Sequence, residues 1–68
     1  MKVIDILKKI EDVKLYVEIK DKETGASYGI FAKNDALLVY NDSLKNRNVK
    51  KINVQYHNGK RLLILEVK

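Results

Sequence analysis

Apolar residues recur along the first twelve positions with the spacing of an amphipathic helix. On a helical wheel one stripe is apolar, with Ile4 at its edge, and the opposite side is charged. The stripe consists of Val3, Ile6, Leu7 and Ile10. Glu11 and Asp12 oppose the helix dipole at the C-terminal end. The pattern therefore predicts a helix over residues 2–12.

The next twenty residues carry the two-residue period of half-buried strands. In VKLYVEIK, residues 13–20, the apolar positions alternate with polar ones and Tyr16, beginning at Val13. The DKETG stretch that follows is typical of a type I turn closed by a glycine, with Asp21 first and Gly25 last. Residues 26–32 are then predicted to return as a second, antiparallel strand.

The end of the chain predicts a second hairpin. Two apolar segments, VKKINVQY and RLLILEVK, flank an Asn58-Gly59 pair, which is the strongest short-range hairpin signal because both turn residues must tolerate positive φ. A two-residue turn fixes the register, from Tyr56 opposite Arg61 to Lys51 opposite Glu66. The face predicted to be core carries Ile52, Val54, Tyr56, Leu63 and Leu65.

The other face of this hairpin mixes polar donors with two aliphatic side chains. Leu62 and Ile64 would be exposed there unless something covers them, and burying each is worth about 1.5–3 kcal/mol. The candidates for this cover are the ALLVY segment at residues 36–40, a second copy of the chain, or a functional partner.

Residues 33–48 carry no decisive period. The run ALLVY fits either a buried strand or a helical turn, and we expect a short strand or an irregular segment packed on the core. Together these elements predict an α+β fold, in which an N-terminal helix packs on one face of a four- to five-stranded antiparallel sheet.

Length and composition narrow the classes of protein. The chain has 68 residues, so residues 1–68 are expected to form a single domain. With no cysteine and one histidine, neither a disulfide nor a metal site is expected, and no cofactor-binding motif is present. No apolar run is long enough to span a membrane. Charges at Asp5, Lys8 and Lys9 argue against a signal peptide, which predicts a cytoplasmic protein.

Catalytic chemistry is not predicted. His57 is the only side chain that titrates near neutral pH without perturbation, and we expect it to be exposed beside the turn, far from an orienting carboxylate. Ser27 and Ser43 lack the context of a nucleophile. We therefore expect a protein that is not an enzyme and has no small-molecule substrate.

Charge is concentrated in the last third of the chain. Residues 44–68 hold seven Lys or Arg and one acid, whereas residues 1–43 hold seven Lys and eight acids. This asymmetry indicates an acidic partner, either nucleic acid or an acidic protein surface. The predicted partner-binding residues are Lys45, Arg47, Lys50, Lys51, Asn53, Gln55, His57, Lys60, Arg61, Leu62 and Ile64. A solvated charged face that deters edge-to-edge aggregation is the alternative.

Two stretches resemble known families. Residues 21–32, DKETGASYGIFA, resemble the loop and central strand of an RNA-recognition motif, but Ile30 and Ala32 stand where both base-stacking aromatics should be. A hairpin turn is the favoured interpretation of this stretch. The segments MKVIDILKKIED, LKNRNVKKINV and RLLILEV resemble small accessory proteins from phages and prophages of Gram-positive bacteria.

The second resemblance implies a protein that acts on host machinery or on a defence system, as anti-CRISPR proteins do. Our leading hypothesis is accordingly a non-enzymatic binding protein that blocks or redirects a host macromolecule through its basic C-terminal hairpin. Direct binding of DNA or RNA by the same hairpin is the first alternative. A homodimer joined through the apolar second face is the other.

Overall fold

A computed structural model describes residues 1–12 and 14–68, the side chain of His57 excepted, so the predicted placements of Val13 and of the His57 side chain lie outside the described residues. The elements in chain order are α1 (Val3–Lys9), β1 (Tyr16–Asp21), β2 (Ser27–Ala32), α2 (Lys33–Val39), α3 (Asp42–Lys45), β3 (Val49–His57) and β4 (Lys60–Val67). The fold is α+β with a four-stranded sheet, as the sequence predicts.

The sheet is mixed rather than antiparallel. Its strand order is β2-β1-β4-β3, with antiparallel pairing in the two hairpins and parallel pairing between β1 and β4. The prediction of an all-antiparallel sheet is therefore wrong. Both central strands point the same way because the chain crosses from one hairpin to the other through α2 and α3, and a parallel pair needs such a long connection.

Helix α1 is shorter than predicted. It begins after Lys2, whose backbone N–H donates to Asp5 Oδ2 over 3.2 Å, so the side chain at the third helical position caps the first turn. It ends at Lys9, and the backbone of the next residue, Ile10, is extended. The buried positions are Val3, Ile6 and Leu7, three of the four residues of the predicted stripe.

Residues 33–45 are largely helical, so the predicted short strand or irregular segment is wrong over this region. In α2 the buried side chains are spaced by a helical turn, since Ala36 and Tyr40 are buried while Leu38 and Val39 are exposed. Helix α3 begins at Asn41, whose side-chain oxygen accepts the Leu44 N–H at 2.8 Å. Two short helices thus bury one side of an apolar run that periodicity alone left ambiguous.

The core joins the three helices to the two central strands. Its buried members are Val3, Ile6, Leu7, Val17, Ile19, Ala36, Tyr40, Leu44, Leu65 and Val67. The Tyr40 ring stands edge-on to Phe31, with centroids 5.4 Å apart. Its hydroxyl donates to the Gly29 carbonyl oxygen at 2.6 Å. Burial raises the pKa of Tyr40 to about 12, so this hydroxyl stays protonated and keeps its hydrogen bond.

The C-terminal hairpin is confirmed in both register and turn. Tyr56 pairs with Arg61, Lys51 pairs with Glu66, and the intervening pairs follow without a shift. Asn58 and Gly59 have φ of 52° and 76°, the two positive values that a type I′ turn requires. No ion pair joins Lys51 to Glu66 within the described residues, although the strands place them opposite each other.

The prediction that one whole face of this hairpin is core is wrong for its β3 half. Leu65 is fully buried, but on the neighbouring strand the side chains of Ile52, Val54 and Tyr56 are 50%, 59% and 75% exposed. The reason is the strand order, because β3 lies at the edge of the sheet and the core does not extend over it. We refer to Ile52, Val54 and Tyr56 as the β3 apolar row.

Leu62 and Ile64 are covered within the chain, but not by the ALLVY segment. Each is only 4% exposed. Neither belongs to the core cluster that includes Ala36 and Tyr40, because alternation along β4 directs them to the opposite face of the sheet. On that open face, the aligned side chains of β1 and β3 flank the central strand, with Tyr16 and Gln55 on either side of Leu62.

Candidate functional site

Two of the predicted binding cations are held by intramolecular contacts. The Lys45 ammonium donates to the Leu37 carbonyl oxygen at 3.0 Å, at the C-terminal end of α2, and lies 3.5 Å from the Asp42 carboxylate. Arg47 donates to Asp21 Oδ2 at 3.2 Å and to the Lys68 carbonyl oxygen at 3.0 Å. Both side chains therefore stabilise the fold, and neither extends along the hairpin.

The Arg47 contact belongs to a network that fixes the turn after β1. Asp21 Oδ1 accepts the backbone N–H groups of Glu23 and Thr24 at 2.9 and 3.1 Å. The Arg47 guanidinium also donates to the Tyr28 hydroxyl at 2.9 Å. The Thr24 N–H first and the Arg47 side chain second lower the pKa of Asp21. The pKa of Arg47 is raised by the same contact, so the pair is ionised at neutral pH.

The remaining cations of the hairpin form two separate pairs. Lys50 and Lys51 are exposed at the start of β3, and Lys60 and Arg61 are exposed at the start of β4. Lys60 lies opposite His57 in the ladder, six residues along β3 from Lys51, which is about 20 Å at the rise of a strand. The stretch between the two pairs is uncharged. The sequence predicts one row of donors on this hairpin, Lys51, Asn53, Gln55 and His57 with Lys60 at the turn, so the lysines of this row stand at its two ends.

The polar residues predicted to accompany this row lie on the open face. Asn53 is half-buried and Gln55 is exposed, and they pair with Ile64 and Leu62 across the strands. The backbone of His57 continues β3 beside Lys60. Because Leu62 and Ile64 are already buried between neighbouring strands, they offer little area to a partner, although they were predicted as binding residues.

The β3 apolar row lies on the other face, beside a groove. The groove has a volume of about 260 Å³ and runs between α1 and the start of β3. Met1 and Ile6 line its helix side, and Val49 and Ile52 line its strand side, together with Lys50 and Lys51. An apolar floor with a lysine pair at its rim is thus continuous with the exposed side chains of the edge strand.

A second cleft of about 260 Å³ lies near the hairpin turn, where it contacts Ile30, Asn58, Arg61 and Leu62. Its walls include Tyr16 and Lys60, whose ammonium lies 5.1 Å from the Tyr16 ring centre and donates to the hydroxyl at 3.3 Å. The face of the Tyr16 ring is therefore already in contact with the Lys60 ammonium of the same chain. This arrangement holds the second cation pair at the turn end of the sheet.

The described residues contain no group of three or more metal-binding side chains. The buried carboxylate among the described residues is Glu18, which accepts the Ser27 hydroxyl at 2.6 Å and lies 3.9 Å from the Lys20 ammonium. This carboxylate is buried on the sheet and is held by its neighbours. Its contacts explain its burial, since buried charges are paired and hydrogen-bonded.

The described helices all lack the length and apolar character needed to cross a bilayer. Comparison of the chain with protein-family models, with curated proteins and with solved structures finds no match.

Sequence reasoning missed the β3 apolar row as a surface, because alternation assigned it to the core. Two signals in the sequence indicate the alternative. RLLILEV contains four consecutive apolar residues, 62–65, which is typical of a central strand buried on both faces. The preceding strand carries Lys50 and Lys51, and lysines are frequent on edge strands.

Proposed function

We propose that this chain is a non-enzymatic protein-binding module that engages an acidic protein surface through its C-terminal hairpin. In this proposal α1 packs on the same face of the sheet as α2, and the module acts in the cytoplasm of a bacterial host. Its effect there is to block or redirect a host macromolecule, such as a component of a defence system. This role follows the resemblance to phage accessory proteins.

One observation supports a protein partner above all others. The β3 apolar row exposes two aliphatic side chains and a tyrosine side by side on one strand, between the Lys50–Lys51 pair and Arg61. Exposed apolar patches with a polar rim are typical of interaction sites, and depletion of charge at the centre is typical of protein interfaces. A site for phosphates would instead need cations along its whole length.

The test is capture from lysate with variants matched in charge. The chain has no cysteine, so Asn34→Cys on α2 provides one exposed thiol for biotin. Bait protein is incubated with nuclease-treated lysate of a Gram-positive bacterium. The unmodified hairpin should retain a stoichiometric protein, and Lys50→Gln/Lys51→Gln should release it. The control Lys8→Gln/Lys9→Gln removes the same charge from exposed positions of α1 and should retain the protein.

Equal capture by both double variants, or capture of nothing, would contradict the proposal. Labelled single- and double-stranded DNA and RNA are titrated in parallel at about 50 and 200 mM salt. Tight binding that falls steeply with salt and needs Lys50 and Lys51 would replace the protein partner with a nucleic acid.

A further inference from the structure

The two edges of the sheet differ in how much backbone they leave unpaired. The strand order makes β2 and β3 the edges. The β1–β2 register shifts between Glu18 and Lys20, and Gly29 in this region has φ of 102°. Its carbonyl is taken by the Tyr40 hydroxyl. Such a bulge breaks the regular edge that another strand would need. The β2 edge is therefore poorly suited to pairing.

The β3 edge is regular from Lys51 to His57. In a hairpin with a two-residue turn, the residue pair next to the turn exchanges hydrogen bonds, and every second pair does so after it. His57, Gln55, Asn53 and Lys51 therefore direct their N–H and C=O groups towards β4. The intervening residues, Ile52, Val54 and Tyr56, direct theirs outward. Beyond the ladder, the described residues form no backbone hydrogen bond to these three.

The residues of the β3 apolar row thus present two things at once. Their backbone offers donors and acceptors in the plane of the sheet, and their side chains offer apolar area on the face that carries the groove beside Met1 and Ile6. A strand added to this edge would satisfy those backbone groups. Its alternate side chains would lie next to the β3 apolar row and over the groove. This is the geometry of recognition by β-strand addition.

The positive charge around the β3 edge decides between a second copy of the chain and an acidic partner as the added strand. Lys50 and Lys51 stand at one end of the free edge, and Arg61 pairs with Tyr56 near the other. The Lys60 ammonium is directed away from this edge, towards Tyr16 on β1. Glu66 is the only acid in residues 44–68. A second copy of the chain would bring its own cations close to those of the first, because antiparallel self-pairing sets Lys50 and Lys51 near the turn end of the other copy. A segment with acidic residues at both ends matches the lysine pair at one end and Arg61 at the other.

We infer that the β3 edge binds an extended segment of another protein as a fifth strand, and that this segment has alternating apolar residues flanked by acidic ones. The inference rests on the proposed function and specifies the partner's chemistry. Backbone hydrogen bonds to Ile52, Val54 and Tyr56 supply affinity irrespective of sequence. The groove, the lysine pair and Arg61 supply the preference.

The probe is a fluorescent, acetylated peptide of sequence Glu-Glu-Val-Thr-Val-Thr-Val-Glu-Glu, titrated with the full chain. Binding should weaken at least about tenfold when lysine replaces every glutamate, and to a similar extent in the Lys50→Gln/Lys51→Gln protein. The Lys8→Gln/Lys9→Gln protein should bind like the wild type. The lysine peptide and the two protein variants test only whether binding needs opposite charges on the peptide and the protein.

N-methylation of the peptide tests the backbone requirement without altering the protein. Methyl groups on all valines, or on all threonines, remove the N–H donors along one edge of the peptide. One set should weaken binding at least about tenfold while the other leaves it nearly unchanged. Loss with methylated valines indicates an antiparallel fifth strand, and loss with methylated threonines indicates a parallel one. Equal effects of the two sets would overturn the inference.

A protein variant provides the matching test. Val54→Pro removes an outward N–H without removing a hydrogen bond to β4, whereas Val54→Thr keeps the N–H and the β-branched shape. Val54→Pro should weaken peptide binding about tenfold more than Val54→Thr, with fold checked by circular dichroism. Should the proline variant unfold, the N-methylated peptides decide the outcome.

The remaining outcomes separate this inference from the proposed function. Binding that depends on charge but is indifferent to N-methylation overturns strand addition and leaves the capture experiment to judge the protein-binding role. Absence of binding at millimolar peptide also overturns the inference. Sedimentation should show a monomer, and a dimer that Val54→Pro dissociates would assign the edge to a second copy and contradict the proposal.

Discussion

Tyr40 joins the end of α2 to the sheet through a single hydroxyl group. That hydroxyl donates to the Gly29 carbonyl oxygen at 2.6 Å, and the Val17 carbonyl oxygen lies 3.4 Å away. Gly29 belongs to the irregular part of β2, so the bond satisfies a carbonyl at a distorted edge. The residue thus contributes apolar packing against Phe31 and also satisfies a polar group of the backbone.

Tyr40→Phe should reduce the free energy of unfolding by about 1–2 kcal/mol, because the Gly29 carbonyl loses its donor. The pH dependence should change too. The pKa of Tyr40 is raised from 10.0 to about 12, so the folded protein favours the protonated form. The contribution of Tyr40 to stability is therefore fully present below about pH 10 and is lost as pH rises towards 12. Urea unfolding across this range should show a smaller alkaline loss for the variant.

Tyr56→Phe is the matched control for this experiment. Tyr56 is exposed on the edge strand, and its hydroxyl forms no hydrogen bond within the described residues. Its substitution should leave the alkaline fall in stability as it is in the wild type. If Tyr40→Phe and Tyr56→Phe gave the same pH profile, the buried hydroxyl would not be the titrating group.

Asp21 governs stability at the acid end. Its folded pKa lies below the ordinary value of 3.8 because the Thr24 N–H and the Arg47 guanidinium favour the carboxylate. Its contribution is therefore present above pH 3.8 and is lost as pH falls through the folded value. Asp21→Asn keeps an oxygen for the turn but removes the charge opposite Arg47. The variant should unfold at lower urea at neutral pH and should lose less stability on acidification.

Glu11→Gln serves as the control for Asp21→Asn, since Glu11 is exposed and accepts no hydrogen bond within the described part of the chain. Its unfolding midpoint should follow that of the wild type between about pH 5 and 2. An acid transition that Asp21→Asn leaves unaltered would show that other carboxylates dominate it.

Among the elements, β3 and β4 form one hairpin but differ in burial, because β4 is a central strand and β3 is an edge strand. β4 is flanked by a strand on each side and buries residues on both faces, including Leu62, Ile64 and Leu65. β3 has a neighbour on one side only, and its apolar side chains remain exposed. The same apolar residue types therefore stabilise the fold on one strand and form a surface on the other.

Two substitutions on the hairpin should separate these roles. Val54→Thr changes an exposed side chain and should alter the free energy of unfolding by no more than about 0.5 kcal/mol. Leu62→Ala truncates a buried side chain and should cost about 2–5 kcal/mol. Chemical denaturation of the two variants measures both values. A large loss with Val54→Thr would place the row in a buried environment and contradict the exposed edge.

Local signals in the sequence predict both hairpins, but they do not predict the two helices between them, α2 and α3. The Asn58-Gly59 turn determines the register of β3 and β4 by itself, because a two-residue turn leaves no freedom in pairing. ALLVY contains no polar residue to mark a helical face, so its period cannot be recognised. The next helix, α3, is signalled by Asn41, a favourable N-cap residue three positions before Leu44.

At the scale of the whole molecule, the parallel pairing of β1 with β4 joins the two halves of the chain. Tyr16 pairs with Leu62 and Asp21 with Val67, so the pairing closes a loop of more than forty residues. Nothing local to either strand encodes this contact. The strand order follows from it, and the strand order determines which edge is free. The cations beside the candidate site were therefore predictable from the sequence, whereas the exposure of Ile52, Val54 and Tyr56 depends on the strand order.

Amide hydrogen exchange should display this arrangement. Amides of β1 and β4 should exchange slowest, because they are released only by global unfolding. Along β3 protection should alternate, with slow exchange at Lys51, Asn53 and Gln55 and fast exchange at Ile52, Val54 and Tyr56. Mass spectrometry or NMR of the isolated chain provides the measurement. Uniform protection along β3 would mean that its outer edge is covered.

The first and last residues meet at one corner of the molecule. The Val49 N–H donates to the Met1 carbonyl oxygen at 2.8 Å, and the Lys68 N–H donates to the Asn48 carbonyl oxygen at 3.3 Å. A purification handle or fluorescent protein fused at Met1 would therefore emerge beside the groove that Met1 lines, and would compete for it sterically. A short Gly-Ser linker could instead join Lys68 to Met1 and give a circular chain.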